Sequence, residues 1–173
     1  LYVAARRTTL PDAGTDDRDL VGAIRSQWPI VGLGVLVVGT TGFVWQGLFN
    51  FYELYMGTKG VPDAVAKNLL TVLFGAGVPA FFVSGRLADR LPRVPYILAI
   101  IGAFTGSLLV LTVTRGTVAI VALTAVIGYV IHSLFPAIDT LLLDTLPSEA
   151  RASSYAWYSA GMMILQATGS SAV

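Results

Sequence analysis

The chain has 173 residues, a formal net charge of +1, no cysteine and one histidine. Charged residues make up 12% of it and hydrophobic residues 55%, whereas a soluble domain carries roughly 25% charged residues, so the composition indicates an integral membrane protein. The near-neutral charge argues against a nucleic-acid partner, the absence of cysteine excludes disulfides and thiolate-metal chemistry, and a lone histidine gives no basis for a metal site.

Residues 1–28 come first in chain order and are mostly polar. Residues 16–19 are all charged, and proline and glycine lie nearby. This pattern predicts a solvated loop that ends in a short amphipathic stretch at 19–26. Residues 1–5 are apolar and are expected to be the last turn of an earlier helix. The chain begins without methionine and its last apolar run has no polar flank, so we expect a fragment of a longer protein.

Five apolar runs follow, each about as long as a bilayer-spanning helix. A helix needs about 20 apolar residues to cross the hydrocarbon layer, and an open strand could not satisfy its backbone groups there. The sequence therefore predicts an all-α polytopic transmembrane helix bundle over residues 29–173. Its spans are predicted at about 30–52, 65–84, 95–113, 118–138 and 152–173.

The basic residues of the connecting segments predict the orientation. Five spans place eight arginines on one side and two lysines with one arginine on the other, and the more basic side of a membrane protein faces the cytoplasm. Nine arginines against two lysines also hint at a high-GC or halophilic prokaryote, so we expect the inner (plasma) membrane of such a cell. The residues are Arg6, Arg7, Arg18, Arg25, Arg86, Arg90, Arg93 and Arg151 on one side, and Lys59, Lys67 and Arg115 on the other.

The connection between the second and third predicted spans carries a motif. Residues 85–93 read Gly-Arg-Leu-Ala-Asp-Arg-Leu-Pro-Arg and resemble the Gly-x-Leu-Ala-Asp-Arg-x-Gly-Arg-Arg signature of the major facilitator superfamily, which lies between the second and third helices of each six-helix half. Pro92 stands where that family usually has glycine. We expect the helix to end at Gly85 and the loop to turn there. The matching residues are Gly85, Leu87, Ala88, Asp89, Arg90 and Arg93.

A second motif and the polar start indicate which half of such a protein this is. The segment 147–151, Pro-Ser-Glu-Ala-Arg, resembles the cytoplasmic loop between helices four and five of a half, and residues 1–28 resemble the end of the loop that joins the halves. The resemblance thus implies a truncated C-terminal half with helices 7–11 of a twelve-helix fold. The N-terminal six-helix half of the same protein would be its partner.

The resemblance implies secondary active transport of a small solute by alternating access, proton-coupled or efflux-like. The expected partners are the lipid bilayer and a small-molecule solute, without a cofactor. No hydrolase, metalloprotease or phosphate-binding motif is present in the sequence, so we do not expect an enzyme. The alternative is a polytopic membrane protein without transport activity, such as an assembly factor or a membrane enzyme domain.

Polar side chains within the spans are the candidate substrate contacts. Such groups usually face the interior of a bundle. Gln46 and Asn50 are one turn apart on the first span, and Tyr158 and Gln166 lie on the fifth. These side chains either line a solute cavity or join helices by hydrogen bonds.

His132 is the one span residue that ordinarily titrates near neutral pH. With Asp139, two turns later on the same face, it forms a candidate proton relay and a further candidate for the substrate cavity. The alternative is a neutral histidine satisfied by Ser133 or by a backbone carbonyl. On the third span, Gly102 and Gly106 are expected to form a close helix contact.

Overall fold

The structure, a computed structural model, describes residues 20–171, and nearly all of them are helical. No strand occurs in this part of the chain, which confirms the all-α prediction. The helices are α1 (Leu20–Thr58), α2 (Asp63–Ala66), α3 (Leu69–Ala88), α4 (Arg93–Val113), α5 (Thr117–Thr145) and α6 (Arg151–Thr168), followed by a 3-10 turn (Gly169–Ser171).

Four segments of the described residues are long and apolar enough to cross a membrane. They are Leu20–Thr58, Asp63–Ala88, Arg93–Val113 and Thr117–Thr145. The fifth predicted span corresponds to α6, whose 18 residues rise about 27 Å and begin with arginine and two serines. Its status as a membrane span stays a prediction.

Helix α1 is longer than the sequence indicates. Its 39 residues rise about 58 Å, nearly twice the ~30 Å hydrocarbon thickness. Residues 20–28, expected in the polar loop, form the first turns of this helix. The rest of the predicted loop, residues 1–19, lies outside the described residues, as do residues 172–173.

Two pairs of parallel helices form the bundle. Helix α3 packs on α5 with the Leu73 carbonyl against Gly128, and α1 packs on α6 with the Phe43 carbonyl against Gly169. In both pairs, later residues of one helix contact later residues of the other. In the α1 and α6 pair, Gly39 lies against Leu165 and Phe43 lies against Gly169, just after α6. In the α3 and α5 pair, Leu73 lies against Gly128 and Gly77 lies against His132. Helix α6 therefore runs in the direction of α1, as a fifth alternating span would.

Helix α5 lies at the centre and contributes more buried residues than any other helix of residues 20–171. The buried Ser84 hydroxyl of α3 donates to the Ser133 carbonyl of α5 at 2.7 Å, and Tyr96 of α4 donates to that hydroxyl at 2.9 Å. On the other side of α5, Tyr52 of α1 shares a buried hydrogen bond with Thr124. These bonds join α5 to α3 and to α1, and they tie α4 to α3.

The glycines that allow close packing are not the ones expected. A Cβ at Gly102 or Gly106 would meet no atom of the described residues within 4 Å, so these glycines make no close helix contact within this part of the chain. A Cβ at Gly128 would instead strike the backbone of Leu73. Helices α3 and α5 therefore approach each other closely at Gly128.

Candidate functional site

One end of the bundle carries the arginine-rich connections. Arg93, at the start of α4, forms an ion pair with Asp144 near the end of α5. Arg151 donates from Nε and Nη2 to the Leu146 carbonyl at 3.3 Å. At the opposite end, Lys59 donates to the Thr112 carbonyl at 2.9 Å. The two groups of basic residues thus lie at opposite ends, and the assignment of the arginine end to the cytoplasm stays a prediction.

The signature segment is mostly helical. Helix α3 continues through Gly85 and Leu87 and ends at Ala88, and positive φ angles in residues 20–171 occur at Gly60 and Gly116 alone. The expectation that the helix ends at Gly85 is therefore wrong. The helix ends where Pro92 approaches, because proline suits the position just before α4 and cannot continue α3.

The charged residues of this segment differ in their surroundings. Asp89 directly follows α3, and both it and Arg90 are exposed. Arg93 is the member that pairs, with an aspartate from α5. In the second motif, the backbone N–H of Glu149 and then the Ser148 hydroxyl lower the pKa of the Glu149 carboxyl, which favours its ionised form just before α6.

His132 lies near the middle of α5. Its side chain is 7% exposed, and Nδ1 lies 2.7 Å from the Gly128 carbonyl oxygen. The ring packs on Gly77 near the middle of α3, where a Cβ would overlap it.

Aromatic rings from three helices surround His132. The ring centroids of Trp45, Phe74 and Phe81 lie 5.5, 5.6 and 5.7 Å from the His132 centroid, and that of Phe135 lies at 6.4 Å. Phe49 extends the group through an edge contact with Phe74. We call these six residues the aromatic cluster: Trp45, Phe49, Phe74, Phe81, His132 and Phe135.

The sequence reasoning missed this cluster. Its signal is the spacing of rings by three, four or seven residues, which places each pair on one stripe of its helix. Trp45 and Phe49 are such a pair on α1, and Phe74 and Phe81 are one on α3.

The predicted amides lie next to the cluster. Asn50 is exposed and its Nδ2 donates to the Gln46 backbone carbonyl at 2.8 Å. Gln46 itself is half-buried. Gln166 of α6 packs on Gly42, one turn before Gln46. The structure thus places Gln46 and Asn50 one turn apart on α1, and Gln166 of α6 against α1 one turn before Gln46.

Tyr158 and Asp139 lie elsewhere. Tyr158 is 3% exposed and packs against Gly34 between α1 and α6. Asp139 accepts a hydrogen bond from the Tyr155 hydroxyl at 2.8 Å. Seven residues separate Asp139 from His132, about 10 Å along the helix, and no contact between described residues joins them. A cavity role for Tyr158 and the proton relay stay predictions.

An apolar cavity of about 500 Å³ lies apart from these residues. It is lined by segments 29–37 of α1, 94–101 of α4 and 138–145 of α5, and its only polar side chain is Thr145. None of the predicted site residues lines it. We therefore place the candidate site at the aromatic cluster, where polar and aromatic side chains converge.

Comparison with known families gives one match. The family model described as Major Facilitator Superfamily matches residues 4–170. No curated protein and no solved structure matches the chain.

Proposed function

Because the chain belongs to the major facilitator superfamily, we propose that it is the C-terminal half of a secondary active transporter. The solute site would lie near the bilayer midplane between two halves that rock around it. The other half would be an N-terminal six-helix bundle of the same protein. Substrate does not follow from the fold alone, so the side chains at the site carry the rest of the proposal.

The observation that carries the proposal is the position of His132. It lies near the middle of α5, where three helices meet, and ionisable groups within the spans of a membrane protein usually belong to a solute or ion pathway. The amides of Gln46 and Asn50 lie within one turn of Phe49 along α1. The arginines of the signature segment, Arg86, Arg90 and Arg93, lie toward one end of the bundle, away from His132.

We also propose that His132 carries the coupling proton. A proton shifts a conformational equilibrium when the group that binds it interacts differently with the two states. The groups that face the His132 ring are Trp45 from α1, Phe74, Gly77 and Phe81 from α3, and Phe135 from α5. None of these groups is charged, so none of them can pair with an imidazolium. A rearrangement of the three helices would therefore change the free energy of the protonated ring.

The signature segment is proposed to act at the interface with the other half. Asp89 and Arg90 are exposed at the arginine-rich end. An exposed carboxylate just after a helix can pair with a basic residue of a neighbouring bundle. Arg93 is already paired with Asp144 and would hold α4 and α5 together.

The test of coupling is His132→Gln in the complete protein, meaning this chain together with the proposed N-terminal half. Glutamine keeps a polar side chain and removes titration. We expect proton-driven uptake into vesicles to be lost while solute exchange continues, and Ser107→Ala on α4, whose hydroxyl bonds only to its own helix, to behave as wild type. Unchanged pH dependence would refute the role of His132.

The proposal of a C-terminal half has its own test. Six further spans should be encoded upstream of this chain. If they are absent, the alternative of a polytopic protein without transport activity takes its place.

A further inference from the structure

His132 has one satisfied nitrogen and one free nitrogen. The Gly128 carbonyl can only accept a hydrogen bond, so Nδ1, 2.7 Å away, must carry the proton of the neutral ring. Nε2 is then an acceptor with its lone pair free. No donor among residues 20–171 bonds to it.

The free nitrogen opens to a space outside the protein atoms. Ser154 Oγ is the only polar side-chain atom of the described residues that is both enclosed and without a partner. Nε2 of His132 also lacks a partner there and is therefore not enclosed, although 93% of the side chain is buried. A group that approaches this point can donate a hydrogen bond to it.

Aromatic surface lies beside the His132 ring. Phe74 and Phe81 are 45% and 46% exposed, and they are set edge-on to the His132 ring, with interplanar angles of 67° and 65°. Edge-to-face and offset contacts are the arrangements that aromatic rings prefer. The two phenylalanines therefore leave ring surface open on which another aromatic ring can pack.

Hydrocarbon chains of lipid suit this face poorly. A free acceptor at His132 and the exposed Asn50 amide would lose hydrogen bonds to water without gaining others in lipid. A solute with both an aromatic ring and a hydrogen-bond donor can pack on the phenylalanine rings and bond to the free nitrogen of His132. No carboxylate of residues 20–171 forms a hydrogen bond or an ion pair with His132, which favours an uncharged solute over a cation.

We propose that the aromatic cluster binds an uncharged planar aromatic solute that carries an N–H or O–H donor, such as an aromatic amine, indole or phenol. The solute ring packs on Phe74 and Phe81, and its donor bonds to Nε2 of His132. Gln46 and Asn50 lie beside Phe49, where a polar substituent can meet them. This inference rests on the proposed function, since it names the solute class of the proposed transport site.

Binding to the purified complete protein in lipid nanodiscs tests the inference without any gradient. Replacing Trp28 and Trp157 by phenylalanine, together with any tryptophan outside this chain, leaves Trp45 as the fluorescent reporter. The probes are 4-nitroaniline and N,N-dimethyl-4-nitroaniline, which share a ring and a chromophore, while only the first has N–H donors.

We expect saturable quenching of Trp45 by 4-nitroaniline and about 10-fold weaker binding of the dimethyl probe, the order of one hydrogen bond. His132→Phe should make the two probes bind alike. Phe81→Ala should weaken both equally, and Ser107→Ala should change neither. A wild-type Tm in thermal unfolding shows that a variant retains its fold.

Three results with the two probes would overturn the inference. They are equal affinity of the probes for the wild-type site, a preference for 4-nitroaniline that survives His132→Phe, and absence of saturable quenching. Strong quenching of Trp45 by brominated acyl chains in the nanodisc would show that lipid covers the cluster, which also overturns it. If the complete protein transports a solute but binds both probes equally, this inference is refuted and the proposed function stands. If it binds the probes with the expected preference but transports nothing, the proposed function is refuted and the binding site stands.

Discussion

The close helix contact at Gly128 makes a quantitative prediction. Gly128→Ala places a methyl group onto the Leu73 backbone of α3. A backbone atom cannot rotate away as a side chain can, so α3 and α5 must separate. Overpacking of this kind costs about 1–3 kcal/mol, and a backbone clash belongs at the upper part of that range.

A matched control isolates the cost of the contact. Replacing a helical glycine by alanine stabilises a helix by up to about 1 kcal/mol, and this gain is common to every such substitution. Gly102→Ala on α4 adds a methyl group that meets no atom of the described residues within 4 Å. The difference between the two variants therefore measures the α3–α5 contact, and we expect it to be about 2–3 kcal/mol.

Thermal unfolding of the complete protein in detergent, followed by tryptophan fluorescence, is a suitable assay. About 1 kcal/mol corresponds to roughly 2–4 °C in Tm for a domain of 150–250 residues, so Gly128→Ala should melt several degrees below Gly102→Ala. Equal Tm values would refute the close approach of α3 and α5. The probe preference described above should also fall in Gly128→Ala, because the Gly128 carbonyl fixes the His132 ring.

Three further predictions concern the two ends of the bundle. In a cysteine-free background, cysteine at Lys59 should react with an impermeant thiol reagent in intact cells and cysteine at Arg90 should not; the reverse pattern would overturn the topology. Asp89→Ala should slow transport by the complete protein while membrane insertion, measured by protein level in the membrane fraction, is preserved; a normal rate would exclude a role for Asp89. Asp144→Asn removes the ion pair with Arg93, and because both side chains are over 40% exposed it should lower stability by less than about 1 kcal/mol, a loss that should shrink at high salt; a larger, salt-independent loss in thermal unfolding would contradict this.

The helices were predictable because their physical signal is local. A charge-free run of about 20 residues has one economical structure in a bilayer, and four such runs are helices in the structure. The ends were less predictable. Gly85 was expected to end α3, but glycine only permits a turn and does not require one, and the helix continues to Ala88.

The contacts between helices could not be predicted from the sequence. The pattern Gly102-x-x-x-Gly106 and the single Gly128 look alike as candidates for close packing, and only the position of the neighbouring helix distinguishes them. The aromatic cluster has the same limitation. Helical spacing puts Phe74 and Phe81 on one stripe of α3, but that spacing does not say that Trp45 of α1 and His132 of α5 lie opposite.

The two interpretations of His132 that the sequence left open are not exclusive. A backbone carbonyl does satisfy the ring, as the structural interpretation required, but it satisfies Nδ1 alone. That bond fixes the tautomer and so leaves Nε2 as an acceptor, which is what a solute or a proton needs. Asp139, by contrast, is engaged with Tyr155 of α6, about two turns away from the ring. A proton that leaves His132 toward Asp139 would therefore need an intervening group, and the free nitrogen that faces the open side of the cluster offers the shorter route.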